Sequence, residues 1–188
     1  MKVLFCLMGA YFCYRTGKDY MKYNREPYTY KELYKNIEKM DIIESHHSIV
    51  VIKDTYNKFS NRYLVYDDLR WNCLLFLNYK KVSDRKEEVE KSIKEHISRD
   101  LKINIADMEV KEVTSEIQRK HSEPDKVEKN YFHTYYSAEI KEFPEKLKAD
   151  SFEIDGRKYY WMTINELEQD KEVIEKNSDV LGIVKGFF

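Results

Sequence analysis

Between positions 81 and 103 the sequence lines up side chains able to handle a phosphate or a divalent cation: Lys81, Glu87, Glu95, His96, Arg99 and Asp100. Two chemistries are open to this set. Glu87 and Asp100 are candidate metal ligands, because hard cations such as magnesium prefer carboxylate oxygen and can bridge to a diphosphate. His96 offers neutral nitrogen, a poor match for such an ion. Arg99 repels a cation, yet its planar donor fork suits phosphate directly, without a metal. Further along, Lys120, His121 and Ser122 bring anion-binding chemistry to what reads as a loop. Tyr159 and Tyr160 alternate on a strand, so one points outward, where it could stack on a base; Tyr160 is taken as a ligand candidate.

Each of these residues also has an ordinary use. Glu87 can cap a helix, Asp100 can be a solvated carboxylate near a helix end, and His96 and Arg99 can face solvent beside an apolar stripe. His133 lies mid-strand among aromatics and reads as a satisfied core histidine. The pair His46 and His47 lacks further ligands, so no metal site is read there.

The elements that must position this chemistry follow from periodicity. "WNCLLFLNY", residues 71–79, is nearly all apolar, as a central strand should be. Residues 83–101 read as a helix with Asp84 at the N-cap, Glu87 completing a capping box, and Val89, Ile93, Ile97 and Leu101 forming an apolar stripe. Upstream, Thr29 and Glu32 cap a helix over 29–40, and strands are expected at 48–52 and 62–66. Downstream, strands are expected at 107–118 and 131–140 with a polar loop over 119–129 between them. Residues 152–160 form a hairpin turning at Asp155-Gly156, a favoured type I′ pair. Thr163 and Glu166 cap a short helix, and "NSD" starts a last one at Ser178. The order gives an α+β fold, an α/β/α sandwich on a mixed sheet.

Composition bounds the rest. The chain has 188 residues, 42% hydrophobic and 14% aromatic, enough for one substantial domain plus an appendage. Five glycines and three prolines argue against a long disordered linker. A formal charge of −1 gives no bulk field for nucleic acid or anionic lipid, so any anion site must be local. Cys6, Cys13 and Cys73 are odd in number and lack C-x-x-C spacing, which indicates buried free thiols in a reducing compartment. Residues 3–14 are uncharged but too few for a span of about twenty residues, and no small-residue cleavage site follows. They read as a buried strand or core helix, with a short anchor as the alternative. Arg15, Lys18, Lys22 and Arg25 follow, and a basic flank would keep the rest of the chain in the cytoplasm.

Counted back from Ile103, residues 81–103 resemble the Nudix box in spacing. Lys81 stands at the leading glycine, Glu87 at the upstream glutamate, Glu95 at the arginine and His96 at the first glutamate of the core. Arg99 and Asp100 stand at the paired glutamates and Lys102 at the closing glycine. The downstream segments "KHS", "NYFHTYY", "KYYWMTINEL" and "NSDVLGIVK", with "WNCLLFL" before the box, resemble the SMODS-associated Nudix domain over about residues 70–188. That is a divergent branch of effectors tied to bacterial cyclic-oligonucleotide anti-phage systems.

The resemblance implies a Nudix-like domain over 46–188, behind an N-terminal apolar segment and helix over 1–45. It implies a nucleotide or cyclic-oligonucleotide ligand bound in the cytoplasm by a catalytically degenerate site, with no cofactor. Arg99, His96, Lys120, His121, Lys81 and Tyr160 are the ligand-binding candidates. A homo-oligomer, and membrane association through residues 3–14, stay open. Two alternatives stand beside this reading: a magnesium-dependent nucleoside diphosphate hydrolase using Glu87 and Asp100, and a structural interaction domain.

Overall fold

The computed structural model describes residues 2–25, 43–57 and 61–188. Its contacts divide the chain into two units, Met1–Ile42 and Ile43–Phe188. In the first, helix α1 spans Lys2–Arg25. The apolar run is therefore helical and not a strand, and Tyr11, Phe12 and Tyr14 on it are exposed and not core. No helix among the described residues is long and apolar enough to cross a membrane. The helix expected over 29–40 lies outside the described residues.

The second unit is built on a seven-stranded mixed sheet in the order β4-β5-β1-β3-β2-β7-β6. The strands are β1 (Ile43–Ile52), β2 (Arg62–Asp68), β3 (Cys73–Lys80), β4 (Met108–Ser122), β5 (Val127–Ile140), β6 (Ser151–Ile154) and β7 (Arg157–Thr163). β1 and β5 run parallel, from Ile43 opposite Lys129 to Ile52 opposite Ala138, and the other pairings are antiparallel. β3 is shared between two neighbours. Its first half pairs with β2 and its second half, from Leu77, with β1. The apolar stretch Ile49–Ile52 is buried throughout, as a strand covered on both faces must be.

Helix α2 (Lys86–Leu101) covers one face and buries Val89, Ile93, Ile97 and Leu101, the stripe expected from its period. Helices α3 (Ile164–Gln169) and α4 (Lys171–Phe187) cover the other. Alternation along β3 separates the two faces. Tyr79 stacks on His96 of α2, whereas Phe76 and Asn78 line a cavity with Asn177 and Val180 of α4.

Several local expectations hold. Asp155 (φ 50°) and Gly156 (φ 81°) make the left-handed turn between β6 and β7. The Thr163–Glu166 capping box closes at both ends. Others need correction. α2 starts at Lys86 with Arg85 at its N-cap and no side-chain cap. Asp84 instead accepts from Lys81 Nζ at 2.9 Å, so its carboxylate is engaged before it can turn to the helix, and Glu87 is exposed. The polar stretch 119–129 is ladder and not loop, because pairing runs on to Ser122 opposite Val127. There Lys126 turns at φ 56°, and Ser122 Oγ donates to Asp125 at 2.8 Å. Cross-strand contacts of Glu128 with Arg119 and His121 sustain a solvated hairpin that apolar patterning could not reveal. α4 begins at Lys171, where Asp170 accepts from the backbone of Glu172 and Val173. The "NSD" signal marks the kink at buried Asn177 (φ −140°) within it. Cys73 is buried but Cys13 is exposed.

Candidate functional site

The last turn of α2 carries the chemistry. Its C-cap, Lys102, adopts a left-handed conformation at φ 58°, ψ 37°. This is the backbone state that glycine reaches without strain, and it falls where the Nudix spacing places its closing glycine. Asp100, with its side chain only 12% exposed, sits between two guanidinium groups: Arg99 Nε at 2.9 Å and Arg157 Nη1 at 3.5 Å. Arg157 starts β7 immediately after the Asp155-Gly156 turn. The period of two puts it on the same face as Tyr159 and Trp161, both core residues.

Arg157 reaches from Asp100 to the Tyr66 ring, with its guanidinium carbon 4.8 Å from the centroid. The Tyr66 hydroxyl donates to Asp68 at 3.1 Å. Asp68 is buried and also accepts from Arg70 Nη2 at 2.9 Å and from the backbone of Arg70 and Trp71. Burial alone would raise the Asp68 carboxyl, but these donors hold it below its ordinary value. Tyr66, Asp67, Asp68, Leu69, Arg70, Gly156, Arg157 and Lys158 line an open groove of about 530 Å³. Behind it, Tyr79 stacks on His96 with centroids 4.7 Å apart. Burial, then the nearby Asp100 charge, suppresses ionisation of Tyr79, whose hydroxyl faces Asp100 just outside strict hydrogen-bonding geometry. His96 Nδ1 is likewise buried without a partner, and burial, then Arg99, lowers the imidazole's pKa.

The sequence candidates thus fall in different places. His96, Arg99 and Asp100 come together at the end of α2. Glu87 is 13 positions before Asp100 on the same helix, which separates them by about 20 Å along its axis. The two carboxylates cannot ligate one cation, and among the described residues no group of three or more metal-ligating side chains gathers. Lys81 is held by Asp84 in the loop before α2. His121 is on the solvated β4–β5 hairpin, 3.6 Å from Glu128. Tyr160 points to the face opposite Arg157 and Tyr159 and is partly buried against the core.

Lys120 is also on that opposite face. Its Nζ donates to Asp179 at 2.8 Å and lies 5.9 Å from the Trp71 ring and 5.7 Å from the Tyr131 ring. These rings, with Phe76, Asn78, His133 and Asn177, line a cavity of only about 30 Å³, room for about one water. Burial and then Lys120 push His133 down to about 3, and its Nδ1 has no partner. Arg70 and Arg157 are the residues that sequence reasoning missed. The signal for Arg157 was available: an arginine in register with core positions on a strand must find an anion or an aromatic ring.

No protein-family model matches the chain, and no curated protein matches it by sequence. Solved structures align more loosely. An Ap4A hydrolase from C. elegans aligns at 6% identity and a TM-score of 0.44, covering 77% of this chain and 94% of its own. The C-terminal domain of mouse MUTYH, solved in complex with human PCNA, aligns at 12% and 0.45, covering 72% and 88%. The Nudix hydrolase RenU from M. smegmatis aligns at 6% and 0.41, covering 77% and 87%. Alignments at these scores assign no function, and the reading that follows stands on the chain's own residues.

Proposed function

We propose that residues 43–188 form a Nudix-like nucleotide-binding domain that meets phosphate with guanidinium groups and no bridging metal. The observation that carries this is the end of α2. The motif's closing-glycine place is left-handed at Lys102, and the paired-glutamate places hold Arg99 and Asp100, with Arg157 brought onto Asp100 from β7. Cations where a hydrolase needs carboxylates attract phosphate directly. The groove adds Arg70 and Lys158 as further charges, and the Tyr66 ring backs the Arg157 guanidinium. The finer reading is a sensor of cyclic oligonucleotides in a bacterial anti-phage effector. It is supported by the resemblance of residues 70–188 to the SMODS-associated Nudix domain.

A thermal-shift screen against linear and cyclic nucleotides, with EDTA or with magnesium, tests the reading, because a ligand selective for the native state raises Tm by mass action. The expected hit raises Tm equally in both buffers and loses its effect in Arg157→Gln. Stabilisation only with magnesium, accompanied by turnover that Asp100→Asn abolishes, would establish the hydrolase alternative instead.

A further inference from the structure

We propose that Asp100 is a built-in competitor for the ligand: in the free chain its carboxylate holds the guanidinium groups that a phosphoryl group takes on binding. The inference rests on the groove reading above and adds its regulation. Arg157 stands between the groove and Asp100, with one side over Tyr66 and Nη1 3.5 Å from the carboxylate. That distance exceeds the roughly 2.7–2.9 Å of a full charge-assisted hydrogen bond, so Arg157 is attracted but not locked. Arg99 makes the tighter contact at 2.9 Å, but its side chain is 63% exposed and free to swing.

Asp68, which lines the groove itself, provides the contrast. Two backbone N–H groups and Arg70 fix it, as a structural carboxylate requires. Asp100 faces two guanidinium groups with one negative charge between them, and the buried Tyr79 hydroxyl is close enough to feel that charge. The two guanidinium groups offer more N–H donors than one carboxylate uses, and a tetrahedral oxyanion could take them. A phosphoryl group with more charge and more acceptor oxygens than a carboxylate displaces Asp100 from Arg157. Affinity is reduced by the fraction of molecules in which Asp100 still holds the arginine.

Titration calorimetry with pyrophosphate and with ADP, in EDTA, on the full chain tests this. Asp100→Asn keeps the shape and removes the charge, and should tighten pyrophosphate binding about tenfold, the scale of one charge-assisted contact. Asp100→Glu should stay near wild type, and Arg157→Gln should lose binding in either background. Asp100→Ser serves as the second neutral variant should the asparagine chain melt early. Wild-type binding that Asp100→Asn and Asp100→Ser leave unchanged or weaken overturns the competitor role and leaves the groove reading standing. No binding by wild type or either neutral variant overturns both.

Discussion

On the α2 face, Arg157 lies over Tyr66 at the edge of an open groove of about 530 Å³; on the α4 face, Lys120 lies over Trp71 and Tyr131 at a cavity of about 30 Å³. Both places pair a cation with rings, an acid and a histidine. They differ in how the acid is used. Asp179 takes Lys120 Nζ at 2.8 Å, so the charge on the closed face is spent locally, while burial keeps the histidine behind it neutral. Asp100 shares two guanidinium groups, one of them at 3.5 Å, so the open face keeps positive charge to offer. The same residue types thus make a core on one side of the sheet and an open, charged groove on the other. Room for a ligand and incomplete pairing decide which.

Substitutions can break that contrast. The largest effect is expected on the closed face. Tyr135 is fully buried there, and Tyr135→Ala should cost about 3–5 kcal/mol in urea unfolding, as large-to-small aromatic changes do. Tyr135→Phe should be near neutral, because the Tyr135 hydroxyl has no partner to lose. Arg157→Gln on the open face should do the reverse. It should cost about 1.5–3 kcal/mol of phosphate-ligand binding, one charge-assisted contact, measured by calorimetry, with little change in Tm.

Acid should weaken the closed face as well. The folded-state pKa of His133 lies below its unfolded value of 6.5, at about 3, so the unfolded chain binds the extra proton between those values. The His133 contribution is complete above pH 6.5 and is lost progressively as pH falls towards 3, with a slope of at most about 1.4 kcal/mol per pH unit. His47 is shifted the same way, by burial first. The urea midpoint should fall increasingly from pH 7 to 4, and His133→Gln should lessen that fall. The smallest effect should come from Lys102→Gly. Relief of the left-handed backbone contributes about 1 kcal/mol, partly offset by loss of the 2.7 Å Lys102–Asp155 ion pair. A Tm rise of a few degrees at most is the expected reading.

The periodic parts of this architecture were legible in the sequence. The Val89, Ile93, Ile97, Leu101 stripe, the Asp155-Gly156 turn and the Thr163–Glu166 box each follow from local rules and stand as expected. Failures arose where long-range partners decide. Asp84 looked like a cap until Lys81 claimed it. The 119–129 stretch looked like loop because ladder pairing between two solvated polar strands leaves no apolar alternation. The site was half legible. His96, Arg99 and Asp100 were singled out by the resemblance of residues 81–103 to the Nudix box in spacing. Arg157, 57 positions beyond Asp100, reaches it only through sheet order, and Lys120 was placed with Arg99 though the sheet separates them.

Calorimetric titration of ADP and pyrophosphate into the wild-type chain and Arg157→Gln, each in EDTA and in magnesium, tests metal-free phosphate binding at the groove most directly. The expected result is wild-type binding of equal strength in both buffers, weakened by added salt and reduced about tenfold or more in Arg157→Gln. Binding that appears only with magnesium and is indifferent to Arg157 would contradict it.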